Sequence, residues 1–462
     1  MKLKLLIITC LSLSISRINS QNNTILPQKL DSLFLNLHSN QSFNGNVLIA
    51  KGDQIIYTGN FGLANFEANV PLNDSSIFEL ASVSKQFTAF AIFQLIQENK
   101  ISLIDPVYKY IPELKHYKNI TIKHLIEHSS GIPDYMEFAD NLIPSGKIYN
   151  NIQILKLFKS RTPALQFKPG SKFEYSNTGY LVLGTIIERV SNMSYEEYLN
   201  KVIFEPIGMR NTLVYRRRFA PKNVPNSTLG YYYHHDLQQK VTPDYFGSDF
   251  YVVKLDGVVG DGMVNSTTLD LFKWSRYLTQ HPELSSKLFS EFQLENEQST
   301  NYGYGWFISQ NKKFGKKAYH TGSWAGYLTS IEKYLDEDWT VIMLQNMNLE
   351  NSKLPTKSIQ KILFNLPIEN RIELDTTIQK KYVGVYKSEN RKDIEVYFNN
   401  GRLYVPFNNN IELDLIPVRE NKFIVEGFSP EVTYTFNITN NNKIQLLIEQ
   451  IEMDIEIWAE KE

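Results

Sequence analysis

Serine is a poor nucleophile until a neighbouring base takes its proton, and a lysine three positions on in a helix sits one turn away on the same face. Ser82 and Lys85 have that spacing. The same Ser-x-x-Lys pattern recurs at Ser309, Ser330 and Ser358, so spacing alone does not choose among them. Context does. After Ser82 the residues Phe87, Phe90, Ala91, Ile92, Phe93 and Leu95 cover one broad apolar face, which predicts a buried helix starting close to the serine. A lysine buried there can be neutral, and the serine can share the exposed backbone N–H groups of the helix start. Two later segments carry further reactive side chains. Tyr175-Ser176-Asn177 stands directly before an apolar helix, and His320-Thr321-Gly322 just before a strand. Tyr-x-Asn also occurs at Tyr117, Tyr149, Tyr198 and Tyr397, whereas His-Thr-Gly occurs once.

Other chemistries fit less well. His124-Leu125-Ile126-Glu127-His128 matches the His-x-x-Glu-His helix of an inverted zinc protease, and two histidines four apart share a helical face. The run Ser129-Ser130-Gly131-Ile132-Pro133 ends that helix at once. His234-His235, beside Asp236 in a Tyr-rich loop, reads as a polar surface or cleft wall rather than a metal site. The chain contains no Gly-x-Ser-x-Gly elbow. No metal or organic cofactor is implied.

These side chains need a scaffold, and 462 residues, 42% of them apolar, suffice for more than one core. The formal charge of −1 and the lack of long like-charge runs give no footprint for nucleic acid. Residues 1–20 read as a signal peptide: Lys2 and Lys4, the apolar run Leu5 to Ile15, then the small Ser20. The expected mature chain starts near Gln21, is exported to a periplasm or medium, and contains no other membrane span. The single cysteine, Cys10, lies in that segment, so disulfides and thiolate chemistry are excluded from the mature protein.

A helix is expected near Leu30 to Leu37, then strands at Asn44–Ala50 and Gln54–Tyr57 around a Lys51-Gly52-Asp53 turn. Helical pieces follow from about 101 to 288, including Thr121–His128, Ile152–Phe158, Thr178–Arg189 and Thr267–Leu278. Strands return at Gly303–Ser309, Gly326–Tyr334 and Thr340–Gln345, with a helix near Thr356–Phe364. From about 373 to 462 short alternating runs, such as Ile394 to Phe398 turning through Asn400-Gly401, predict a separate all-β accessory unit.

Glu79-Leu80-Ala81-Ser82-Val83-Ser84-Lys85, Phe173 to Tyr180 and His320 to Tyr327 resemble the three active-site elements of the serine β-lactamase and D-alanyl-D-alanine carboxypeptidase superfamily. The Tyr-x-Asn form of the second is most similar to the class C β-lactamase-related branch. Leu125 to Tyr135 and Gly260 to Asp270 resemble that branch as well, so the likeness runs over roughly residues 30–365. It implies an α/β (α+β) fold, an antiparallel sheet flanked by helices with a helical insertion, in a hydrolase domain spanning 21–366. It also implies roles: Ser82 attacks a carbonyl, Lys85 and Tyr175 move its proton, Asn177 holds Lys85 and the substrate amide, and His320, Thr321, Gly322 and Ser323 bind substrate. The backbone N–H groups of Ser82 and Ser323 form the oxyanion hole in this picture. A lysine ammonium beside Tyr175 is the sort of charge that makes a tyrosine a usable base. Where many β-lactamases carry lysine, this chain carries His320, expected to be only partly charged near neutrality. The implied activity is a D,D-carboxypeptidase, D-aminoacyl peptidase or esterase on a small-molecule, peptide or ester substrate, with cell-wall peptide a candidate. A true class C-like β-lactamase and a penicillin-sensing or peptidoglycan-binding homologue that acylates once are the alternatives.

Overall fold

The computed structural model describes residues 25–369, 371–389, 392–408, 411–425 and 431–462; the signal-peptide segment 1–20 lies outside them. Those residues form two compact units, one running to Ser309 and resuming at Lys316–Thr356, the other comprising Gln310–Gly315 and Lys357–Glu462.

The first unit is built on a sheet. Its strands are β1 (Gly45–Lys51), β2 (Gln54–Phe61), β3 (Phe307–Asn311), β4 (Gly315–Trp324), β5 (Tyr327–Tyr334) and β6 (Trp339–Gln345), in the spatial order β3-β4-β5-β6-β1-β2. The pairs β1–β2, β1–β6, β4–β5 and β5–β6 are antiparallel. Successive strand residues point to opposite faces, so Leu48, Ala50, Ile342 and Leu344 enter the main core, while Val47, Ile49, Val341 and Met343 are buried on the other side. Phe34 of helix α1, over 25–39, stacks on Tyr57 and Phe61 of β2.

The segment between β2 and β3 holds the helices that the apolar periodicity predicts. Helix α2 (Lys85–Gln97) is buried almost all round. Helices α3 (Asn177–Ser191) and α4 (Thr268–Gln280) each bury a face in the same core.

Two strands differ from the sequence reading. His320-Thr321-Gly322 stands ahead of β5 as expected but itself lies inside a strand, β4, and pairs with Ile331, Ser330 and Thr329 of β5. Ala325 (φ 53°) and Gly326 (φ 88°) make the two-residue turn between Trp324 and Tyr327, the left-handed geometry that tight hairpins require. The strand expected from Gly303 begins only at Phe307, because residues 303–306 turn back with Gly303 N donating to Trp306 O.

The second unit is a closed barrel of eight strands between Gly384 and Lys461, each next to its sequence neighbour. Tyr386 pairs with Lys461 to close it. Tyr386, Leu403, Leu415, Phe423, Phe436 and Leu446 are buried in its core.

Candidate active site

Ser82 stands in a 3-10 turn, Ala81–Ser84, that runs directly into α2. A 3-10 turn has three residues, which eclipses positions i and i+3, and Lys85 accordingly lies over Ser82, with Nζ donating to Ser82 Oγ at 3.1 Å. The same Nζ donates to Asn177 Oδ1 and to Asp261 O, both at 2.9 Å. All three donor positions of Lys85, which has no solvent exposure, are thus engaged.

The turn is anchored on both sides. Leu80 N donates to Val264 O and Val264 N to Ser84 Oγ, while Phe78–Glu79 pairs antiparallel with Val264–Ser266. From the sheet, Thr329 Oγ1 donates to Leu80 O at 2.7 Å. Ala81 is held at φ 51°, a conformation with a steric cost for a residue bearing a Cβ. Gly322 explains how β4 comes so close: a Cβ there would lie 2.3 Å from Leu80 O and 2.4 Å from Thr329 Oγ1.

Asn177 begins α3, where its N and Nδ2 both donate to Asp134 Oδ2, at 2.7 and 3.0 Å. Asp261 is buried, and Tyr135 donates to its Oδ2 at 2.8 Å. Burial pushes the Asp261 carboxyl up, against the pull of Lys85. Asp134, Tyr135 and Asp261 fall within the family-like segments Leu125 to Tyr135 and Gly260 to Asp270, and no local pattern links Asp134 to Asn177, 43 positions on.

Tyr175 packs its ring 4.9 Å from Lys85 Nζ, yet its buried hydroxyl has no hydrogen-bond partner among the described residues. His128 lies on the other side, stacked 4.3 Å from the Tyr175 ring and accepting at Nδ1 from Ser176 N. Burial and the nearby Lys85 hold the His128 imidazole well below its usual range. The helix expected through His128 stops at Ile126, and His128 itself has φ 58°. His124 serves instead in a capping box with Thr121, so the two histidines do not share a helical face. His234 stacks on Phe246, and His235 contacts Glu350.

His320 departs from expectation. It is buried, Nδ1 donates to Thr321 O at 2.6 Å, and Nε2 accepts from Tyr302 at 3.2 Å. Burial first, and then the charge of Lys85, bring its pKa down to about 3. It is therefore a neutral ring near pH 7, not the partly charged one expected. Its ring lies 6.1 Å from that of Tyr175. Thr321 is exposed, and Ser323 Oγ accepts from Asn348 Nδ2 at 3.2 Å.

A small cavity opens over the serine, and Ser82, Asn177, Ser323, Trp324, Tyr135, Glu79 and Asp261 are on its wall with Met136, Leu255, Val258 and Met263. Ser82, Lys85, Asn177 and Tyr175 come together, with Ser82 and Asn177 on the wall; Ser323 faces the same space, while Lys85, Tyr175, His320, Thr321 and Gly322 are not on the wall.

Fold and site together place the protein among serine hydrolases of the β-lactamase and transpeptidase scaffold. The chain belongs to the beta-lactamase family, whose model matches residues 30–363. It is 36% identical over 420 residues to penicillin-binding protein 4* of Bacillus subtilis, an alignment covering 88% of this chain and 93% of that protein. Two solved structures share the fold. A penicillin-binding protein from Bacillus halodurans is 26% identical with a TM-score of 0.60, covering 71% of this chain and 97% of that one. The octameric penicillin-binding protein homologue of Pyrococcus abyssi is 24% identical with a TM-score of 0.63, covering 93% and 99%.

Proposed function

We propose that the protein is an exported hydrolase that transfers the acyl group of a peptide, amide or ester to Ser82 and then to water. The observation that carries this reading is the grip of Lys85 on Ser82 Oγ, Asn177 and Asp261 at the wall of the cavity. Ser82 Oγ attacks the carbonyl, and its proton passes to the Lys85–Tyr175 pair. Tyr175, whose hydroxyl has no hydrogen-bond partner among the described residues, delivers that proton to the leaving nitrogen or oxygen. Asn177, fixed by Asp134, keeps Lys85 in place and faces the substrate amide. The N–H groups of Ser82 and Ser323 receive the charge of the tetrahedral intermediate. Water then releases the acyl group by the reverse path.

The neutral, buried His320 supplies no fixed charge for a substrate carboxylate, which supports a D-aminoacyl peptidase or esterase over a β-lactamase. Cell-wall peptide is a substrate candidate. Export rests on residues 1–20; among the described residues no helix is long and apolar enough to cross a membrane. Steady-state assays with a chromogenic cephalosporin, a D-Ala-D-Ala peptide and a p-nitrophenyl ester test the reading. Turnover of the peptide or ester, with kcat/KM above that for the cephalosporin, is expected. A burst without turnover on all three would contradict it and favour a sensor.

A further inference from the structure

Glu79, three residues before the nucleophile, is on the wall of the cavity that holds Ser82. It is half-buried, and its Oε1 is shielded from solvent with no hydrogen-bond partner among the described residues. The nearest cations are engaged elsewhere. Arg218 donates to Asp244 through Nε at 2.8 Å and Nη2 at 3.1 Å, and to Asp256 through Nη1 at 2.9 Å. Arg217 pairs with Asp244 as well. Two arginines thus answer two aspartates, and Glu79 is the acid left over. Tyr327, which also faces it, donates its hydroxyl to Thr228 O at 2.6 Å, and Tyr232 is the other titratable group within electrostatic reach.

The rest of the wall offers this carboxyl no positive charge. Leu255, Val258, Met263 and Trp324 are apolar or aromatic, and Asp261 is a second acid. Burial and the neighbouring Asp256 push the Glu79 carboxyl up to about 8, with Arg218 and Arg217 pulling the other way. A cation entering from the cavity side restores its ionised form, whereas a carboxylate entering there meets two acids and no unengaged arginine.

We infer that Glu79 forms an ammonium subsite beside Ser82, so that the preferred acyl donor carries a free amino group next to the scissile carbonyl: an aminoacyl amide, ester or peptide with an unblocked N-terminus. This rests on the acyl-transfer reading above and selects the aminopeptidase-like member of that set over the carboxypeptidase. Glu79 is a specificity residue, and the bond chemistry stays with Ser82.

The test compares kcat/KM at pH 7 for three p-nitroanilides of one D-amino acid: free amine, N-acetyl and N-succinyl. The wild type is expected to prefer the free amine at least tenfold over N-acetyl, with N-succinyl lowest. In Glu79→Gln the free-amine to N-acetyl ratio falls at least tenfold, and Glu79→Asp gives an intermediate ratio. A wild-type ratio at or below one, or a ratio unmoved by Glu79→Gln in a folded variant, overturns the subsite. Should Glu79→Gln not fold, the wild-type and Glu79→Asp ratios decide. Labelling of wild-type Ser82 by a fluorophosphonate separates the two ideas: a labelled protein with the wrong ratios loses only the subsite, and an unlabelled one loses both.

Discussion

At the scale of single residues, the account turns on which side chains are held and which have no partner. Lys85 is held by three acceptors, one of them Ser82 Oγ. Lys85→Met removes the amine that takes part in the proton transfer, so the rate of fluorophosphonate labelling should fall about 10²–10⁴-fold, the usual span for loss of acid–base assistance. An unchanged rate would assign the proton to another group. His320 carries a second prediction. Its folded-state pKa of about 3 lies below the ~6.5 of an unfolded histidine, so the unfolded chain binds more protons as pH falls through that window. The stability His320 contributes is complete above pH 6.5 and is lost progressively toward pH 3, by up to about 1.4 kcal/mol per pH unit. His128 adds in the same direction. Urea midpoints taken between pH 7 and 5 should therefore fall less in His320→Gln than in the wild type; equal slopes would show that the ring titrates normally.

At the scale of elements, β4 and the turn before α2 must touch for the site to exist, and Gly322 is where they do. Gly322→Ala places a Cβ within 2.4 Å of two oxygens. Forcing them apart should cost about 1–3 kcal/mol and slow Ser82 labelling together with it, read as a lower melting temperature and a lower labelling rate in one sample. A stable, fully reactive variant would mean that the contact is dispensable. The same elements separate what was legible in the sequence from what was not. Helix α2 was readable because apolar residues surround it, and the Ser82, Tyr175 and Asn177 segments were readable from their order. Strand β4 was not recognised because its buried positions, Ala318, His320 and Gly322, are small or polar and give no apolar alternation. The Asp134–Asn177 clamp and the Tyr175–His128 stack join distant segments, and no local pattern encodes such a meeting. The neutrality of His320 follows from burial, which residue type alone does not reveal.

At the scale of the whole molecule, the hydrolase unit and the barrel each have a core of their own. Two cores predict two calorimetric transitions. Phe436→Ala, which removes a ring buried among Tyr382, Tyr386 and Phe423, should lower one of them by the equivalent of about 3–5 kcal/mol and leave Ser82 labelling intact; a single transition shifted as a unit would contradict that separation. The barrel takes no part in the proposed chemistry, so the central claim stands on one side chain of the larger unit. Intact-mass analysis of the wild type and Ser82→Ala after fluorophosphonate treatment tests it most directly. A single adduct on the wild type and none on Ser82→Ala is the predicted result, and the same adduct on both proteins would contradict it.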